Sequence, residues 1–158
     1  MRLIPETSYR MIEARLREWK PIGMPTAVER ARRLLDEATA DAVSLSGPMA
    51  RDGMPGRRGT PSDPTARAAD RIGAAMERLE AAEKWAQVFE RTAKDFRQGT
   101  PEHRVMRLHY QMGCTLAAIA RKERIDRQTV VRRKENFLYR AAWYAAEAGL
   151  TRMHDDEL

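Results

Sequence analysis

The run TLAAIARKERIDRQTVVRRKENFLYRAA, residues 115–142, reads as a short helix, a tight turn and a longer basic helix. Leu116, Ile119 and Ala120 fall at i, i+3 and i+4, which gives the first helix one apolar stripe, and Thr115 is placed to cap its start. So short a helix cannot hold its shape alone, so it needs a neighbour. Charge from Arg121 to Arg124 interrupts the stripe, Ile125 returns one apolar side chain to the turn, and Asp126 supplies the N-cap carboxylate of a helix starting at Arg127. Val130, Phe137, Ala141 and Tyr144 share one face of that second helix, and Arg127, Gln128, Val131, Arg132 and Lys134 are expected off it. This is the pattern of a helix-turn-helix.

Its chemistry suits duplex DNA. From Arg121 to Arg140 there are eight Lys or Arg against three acids, a local charge of +5 in a chain whose net charge is +6. An Arg can pair bidentately with guanine and a Gln with adenine in the major groove, so the first turns of the second helix carry the candidate base-reading residues Arg127, Gln128, Val131 and Arg132. Arg121, Lys122, Thr129, Arg133 and Lys134 are the candidate phosphate contacts. The plainer alternative is a basic amphipathic helix with a merely solvated polar face. Against it stands a preceding helix, EHRVMRLHYQ at 102–111, with Val105, Met106, Leu108 and His109 available to cover the pair. Thr100 and Pro101 mark its start, and Gly113 suits the break after it.

Composition points the same way. With mean hydropathy −0.66, 33% charged and 6% aromatic residues, the interior must come from Ala, Leu, Met and Val, which favours helices, and no sustained apolar/polar alternation signals a strand. The expected fold is all-α. A pI near 9.9 favours a polyanionic partner, and nucleic acid ranks before membrane because no basic helix has a broad, bulky apolar face. No apolar run approaches a membrane span and MRLIPETSYR lacks a secretory apolar segment, so a cytoplasmic, nucleoid-associated protein is expected. Cys114, the single cysteine, excludes an intramolecular disulfide and reads as a small packing residue.

Towards the N-terminus, residues 6–20 carry Tyr9, Ile12, Leu16 and Trp19 along one stripe, and Pro21, Gly23 and Pro25 end that helix. A second helix opens at Thr26 with Glu29 in a capping-box pattern, then places Val28, Ala31, Leu35, Ala38, Ala42 and Leu45 at 3/4 spacing. Residues 1–45 are therefore expected to form a helical hairpin. Residues 46–62, SGPMARDGMPGRRGTPS, have no period and read as a flexible linker whose Arg51, Arg57 and Arg58 either contact DNA or keep the segment solvated. Residues 63–98 form a long coiled-coil-like helix with a seam of Ile72, Ala75, Leu79, Ala82, Ala86, Phe89, Ala93 and Phe96, to be covered either by the N-terminal hairpin or by a second copy in a homodimer. The DNA-binding part spans 99–150, and 151–158, with Asp155, Asp156 and Glu157, is an acidic tail.

No catalytic site emerges. His103, His109 and His154 do not pair with Cys114 or a carboxylate at a zinc spacing, Glu77, Glu80 and Glu83 lack a matching acid cluster, and there is no nucleophile elbow. Neither an enzyme, a metal nor a cofactor is expected.

The order of parts, with RVMRLHYQMGCTLAAIARKERIDRQTVVRRKENFLYRAA, resembles the small phage-encoded regulators of late-gene transcription, the RinA/ArpU-like group, whose C-terminal part is similar to region 4 of sigma factors. On this resemblance Leu116, Ile119 and Ala120 are the supporting helix, Ile125 the turn plug, and Asp126, Arg127, Gln128 and Thr129 the start of the recognition helix. Arg133 departs from it, standing where the sigma-like pattern carries an apolar residue. The resemblance implies a phage or prophage regulator that binds near a late promoter and contacts RNA polymerase. Two other outputs share these features: a small terminase subunit recognising viral DNA for packaging, and an antiterminator-like protein whose basic helix binds RNA polymerase.

Overall fold

A computed structural model describes residues 4–45 and 63–152. Among them the fold is all-helical and has no strand. The helices are α1 (Glu6–Trp19), α2 (Ala27–Leu45), α3 (Pro64–Asp95), α4 (Pro101–Met106), α5 (Leu116–Glu123) and α6 (Arg127–Glu147), with a π-helical turn at Arg107–Gln111 continuing α4. No helix among the described residues is long and apolar enough to cross a membrane.

The chain divides into two compact units, Met1–Ala27 with Glu83–Leu158, and Val28–Ala82. In the first, Ile12, Leu16 and Trp19 of α1 meet Trp85, Val88 and Phe89 of α3 and Phe137, Leu138, Ala141 and Ala145 of α6 in one apolar cluster. Aromatic pairs fix its interior: Trp19 and Trp85 each lie 5.6 Å from Phe89, and Phe96 lies 5.4 Å from Phe137. The small alanines of α6 admit these large rings at close range, so large and small side chains interdigitate. A second cluster, Val105, Leu108, Ile119, Ala120 and Val130 with Ile125 and Leu116 at its edge, seats α5 against α4 and the start of α6.

The second unit contains α2 and the first part of α3. Among the described residues its buried apolar side chains are two alanines, Ala31 and Ala75, while Leu34, Val43, Leu45 and Met76 are exposed. Within the first unit α1 packs on α6 and the π-helical turn, while α2 falls in the second unit. The reason is apolar bulk. The α1 stripe carries Ile12, Leu16 and Trp19, which match the aromatic surface of α3 and α6, whereas α2 offers mostly alanine. The second part of α3 buries Trp85 and Val88 beside Phe89, a wider face than the predicted seam.

Candidate nucleic-acid interface

Capping sets the geometry of α5 and α6. The Thr115 hydroxyl accepts from the N–H of Ala118 at 3.2 Å, and one Asp126 oxygen accepts from the N–H of Thr129 at 2.8 Å. The second Asp126 oxygen takes the Thr129 hydroxyl, and these bonds hold its carboxyl below the ordinary carboxylate range. Between the helices Arg124 adopts a left-handed conformation, φ 54°, and the N–H of Ile125 donates to the carbonyl of Ala120 at 3.1 Å. Such a bond closes a helix end while turning the chain, and it delivers Ile125 to the second apolar cluster. A glycine ordinarily marks this conformation, so the sequence carried no sign of it.

The unit before α5 is fixed just as locally. The Thr100 hydroxyl caps α4 by accepting from the His103 N–H at 3.4 Å. Through the π-helical turn the N–H of Met112 reaches back to the Arg107 carbonyl at 3.1 Å, and Gly113, φ +69°, makes the break. His109 Nδ1 lies 2.9 Å from the Cys114 carbonyl oxygen. A carbonyl only accepts, so that ring nitrogen carries the proton and His109 is engaged in holding the turn.

On α6 the buried stripe runs through Val130, Phe137, Leu138, Ala141, Ala142, Tyr144 and Ala145. Arg127, Gln128 and Arg132 are exposed, and Val131 is half-buried at their side. Arg121 and Lys122 are exposed at the end of α5, and Arg133 is half-buried. None of these five arginines and lysines makes an ion pair among the described residues. No acidic side chain lies in the first turn of α6, which leaves only the Asp126 cap to offset the positive end of its dipole.

Two expected phosphate contacts are employed elsewhere. Lys134 stands four residues after Val130 and three before Phe137, on the buried stripe itself; its side chain is 12% exposed, and its Nζ lies 3.1 Å from Glu13 of α1 and 5.5 Å from the Tyr9 ring centre. Glu13 also accepts from the Tyr110 hydroxyl at 3.0 Å. Burial pushes the Glu13 carboxyl up, but the bonds from Lys134 and Tyr110 outweigh it and hold the group below its ordinary value. Burial and the neighbouring Glu13 push the Tyr110 phenol up, so it stays a donor. Lys134 thus ties α6 to α1. Thr129 spends both its N–H and its hydroxyl on Asp126, which makes it part of the cap. The 3/4 spacing of Val130, Lys134 and Phe137 was the available signal for the first of these.

Arg140 pairs with Asp95 of α3 at 2.5 Å, and the Tyr144 hydroxyl donates to the same carboxylate at 2.6 Å. Farther along the outer face of α6, Tyr139 and Trp143 are 39% and 54% exposed, an aromatic pair that charge counting passed over. Arg51, Arg57 and Arg58 lie outside the described residues. So do His154 and the acidic tail residues Asp155, Asp156 and Glu157. Among the described residues no group of three His, Cys, Asp or Glu is arranged to hold a metal ion. No protein-family model matches the chain, and no curated protein or solved structure shows significant similarity to it.

Proposed function

We propose that the chain is a duplex-DNA-binding transcriptional regulator of phage or prophage late genes, with α5 and α6 acting as a helix-turn-helix. The observation that carries this reading is the free basic end of α6: Arg127, Gln128 and Arg132 are exposed on its first turns while the opposite face is buried. A helix end held by a cap and a packed neighbour presents these side chains at fixed spacing, as reading base edges requires. Arg127 and Arg132 are assigned to guanine contacts, Gln128 to adenine, and Val131 to apolar contact with a thymine methyl. Arg121, Lys122 and Arg133 neutralise backbone phosphates and set the register.

RNA polymerase is the proposed second partner, and the exposed Tyr139 and Trp143 beyond the DNA-reading turns are the surface offered to it. Self-association through α2 and the first part of α3 is favoured by the exposed Leu34 and Met76, with only two alanines fully buried among the described residues of that unit. This also keeps the terminase reading in view, because packaging subunits assemble into rings. No catalytic role or cofactor is proposed.

The test is selection of bound fragments from sheared host and phage genome by the purified protein, followed by sequencing. Enrichment upstream of a late operon supports the regulator. Enrichment at a packaging site makes the chain a terminase subunit, and failure to retain any duplex at low salt turns the reading to an RNA polymerase-binding antiterminator.

A further inference from the structure

A cleft of about 870 Å³ opens within the first unit, and no residue of α5 or α6 lines it. Its volume is that of a small-ligand site. Among its lining residues are Lys20, Lys94, Arg97, Arg104 and Arg107, against one acid, Glu90. Two of those cations already have carboxylate partners: Lys20 lies 3.4 Å from Glu90, and Arg104 lies 2.8 Å from Glu123. Lys94, Arg97 and Arg107 make no ion pair among the described residues. They leave the cleft with a charge its own walls do not neutralise, and a concave wall concentrates the resulting field. His103, also in the lining, registers that field: burial and then the Arg107 charge hold its imidazole below the ordinary 6.5. Trp19 of the same wall is 7% exposed and its indole N–H is buried with no acceptor among the described residues.

We propose that this cleft binds a compact phosphorylated ligand carrying two or more linked phosphates, gripped by Lys94, Arg97 and Arg107. Guanidinium groups match phosphate oxygens bidentately, and an ammonium adds a point charge. Three unpaired cations correspond to the charge of a di- or triphosphate group and exceed what a single carboxylate uses. Gln98 and Gln111 add neutral donors to the same lining. A cleft encloses a small ligand, whereas a duplex presents its phosphates on a convex cylinder that meets projecting side chains. The lining shares no residue with the DNA-reading face, so the proposal stands apart from that reading.

The test is titration of the full chain with inorganic tripolyphosphate at physiological salt, read by proton NMR of the imidazoles with His103 assigned through His103→Gln. The expected result is saturable binding that raises the His103 pKa, and a loss of about tenfold in affinity for each of Arg97→Gln and Arg107→Gln. Both replaced side chains are exposed, and circular dichroism checks that the helices are unchanged. An unmoved His103, or tripolyphosphate affinity in both variants equal to that of the native chain, overturns the proposal. A separate arm adds random duplex. If the duplex displaces tripolyphosphate and the variants lose duplex affinity uniformly across sequences, the cleft holds backbone phosphates and the free-ligand proposal is overturned.

Discussion

Lys134 shows how one lysine among many acquires a structural task. Its stem lies on the buried stripe of α6, and Glu13, itself 19% exposed, meets the ammonium at 3.1 Å. Removing one partner of such a pair leaves the other desolvated, so Lys134→Ala is expected to lower unfolding stability by about 1–3 kcal/mol in denaturant melts. The same protein should keep the salt slope of DNA binding. Arg121→Gln and Lys122→Gln should each reduce that slope by about 1 while leaving stability within about 0.5 kcal/mol. The pair also predicts an acid limb. The folded Glu13 pKa lies below its ordinary 4.5, so the unfolded state binds more protons in acid; its contribution is complete above that value and is lost as pH falls through the folded pKa. Lys134 is raised above its ordinary 10.5 and adds the mirror-image loss in alkali. Stability measured against pH should show the acid limb in the native chain and a shallower one in Glu13→Gln.

The helices themselves are largely explained by local signals. Thr100, Thr115 and Asp126 cap the helices they precede, Pro101 opens α4, and Gly113 makes the predicted break, each through a side-chain or dihedral property that needs no partner. Loss of the Thr115 cap in Thr115→Ala should cost about 1 kcal/mol, and Phe137→Ala, which empties a fully buried site, about 3–5 kcal/mol; thermal melts of the two variants should separate clearly. What spacing could not supply was which helix covers which. The 3/4 repeat on α3 was legible, but Trp85 and Val88, which widen its buried face, lie off the repeat through Ala82, Ala86, Phe89 and Ala93. The assignment of α1 to α2 followed their adjacency in sequence. The better apolar match with α6 is a tertiary preference that no local pattern encodes.

A first unit with a large aromatic core contrasts with a second in which Leu34 and Met76 are exposed. A homodimer through the second unit is the expected consequence. Sedimentation should give a dimer, and Leu34→Glu with Met76→Glu should give a monomer whose near-ultraviolet signal from Trp19 and Trp85 is retained. A monomeric native chain would remove that proposal, and a ring of eight or more copies would move it to packaging. The candidate interface was legible where it rests on the start of α6, since Arg127, Gln128 and Arg132 precede or flank the buried stripe. It was illegible where a cation's partner comes from distant sequence, as with Glu13 for Lys134 and Asp95 for Arg140. Base reading by α6 is measured by equilibrium binding of Arg127→Ala and Arg132→Ala to a selected genomic site and to random duplex. Sequence reading predicts a loss of about 1–3 kcal/mol on the selected site and little change on random duplex. Equal losses on both would contradict it, reducing those arginines to phosphate contacts.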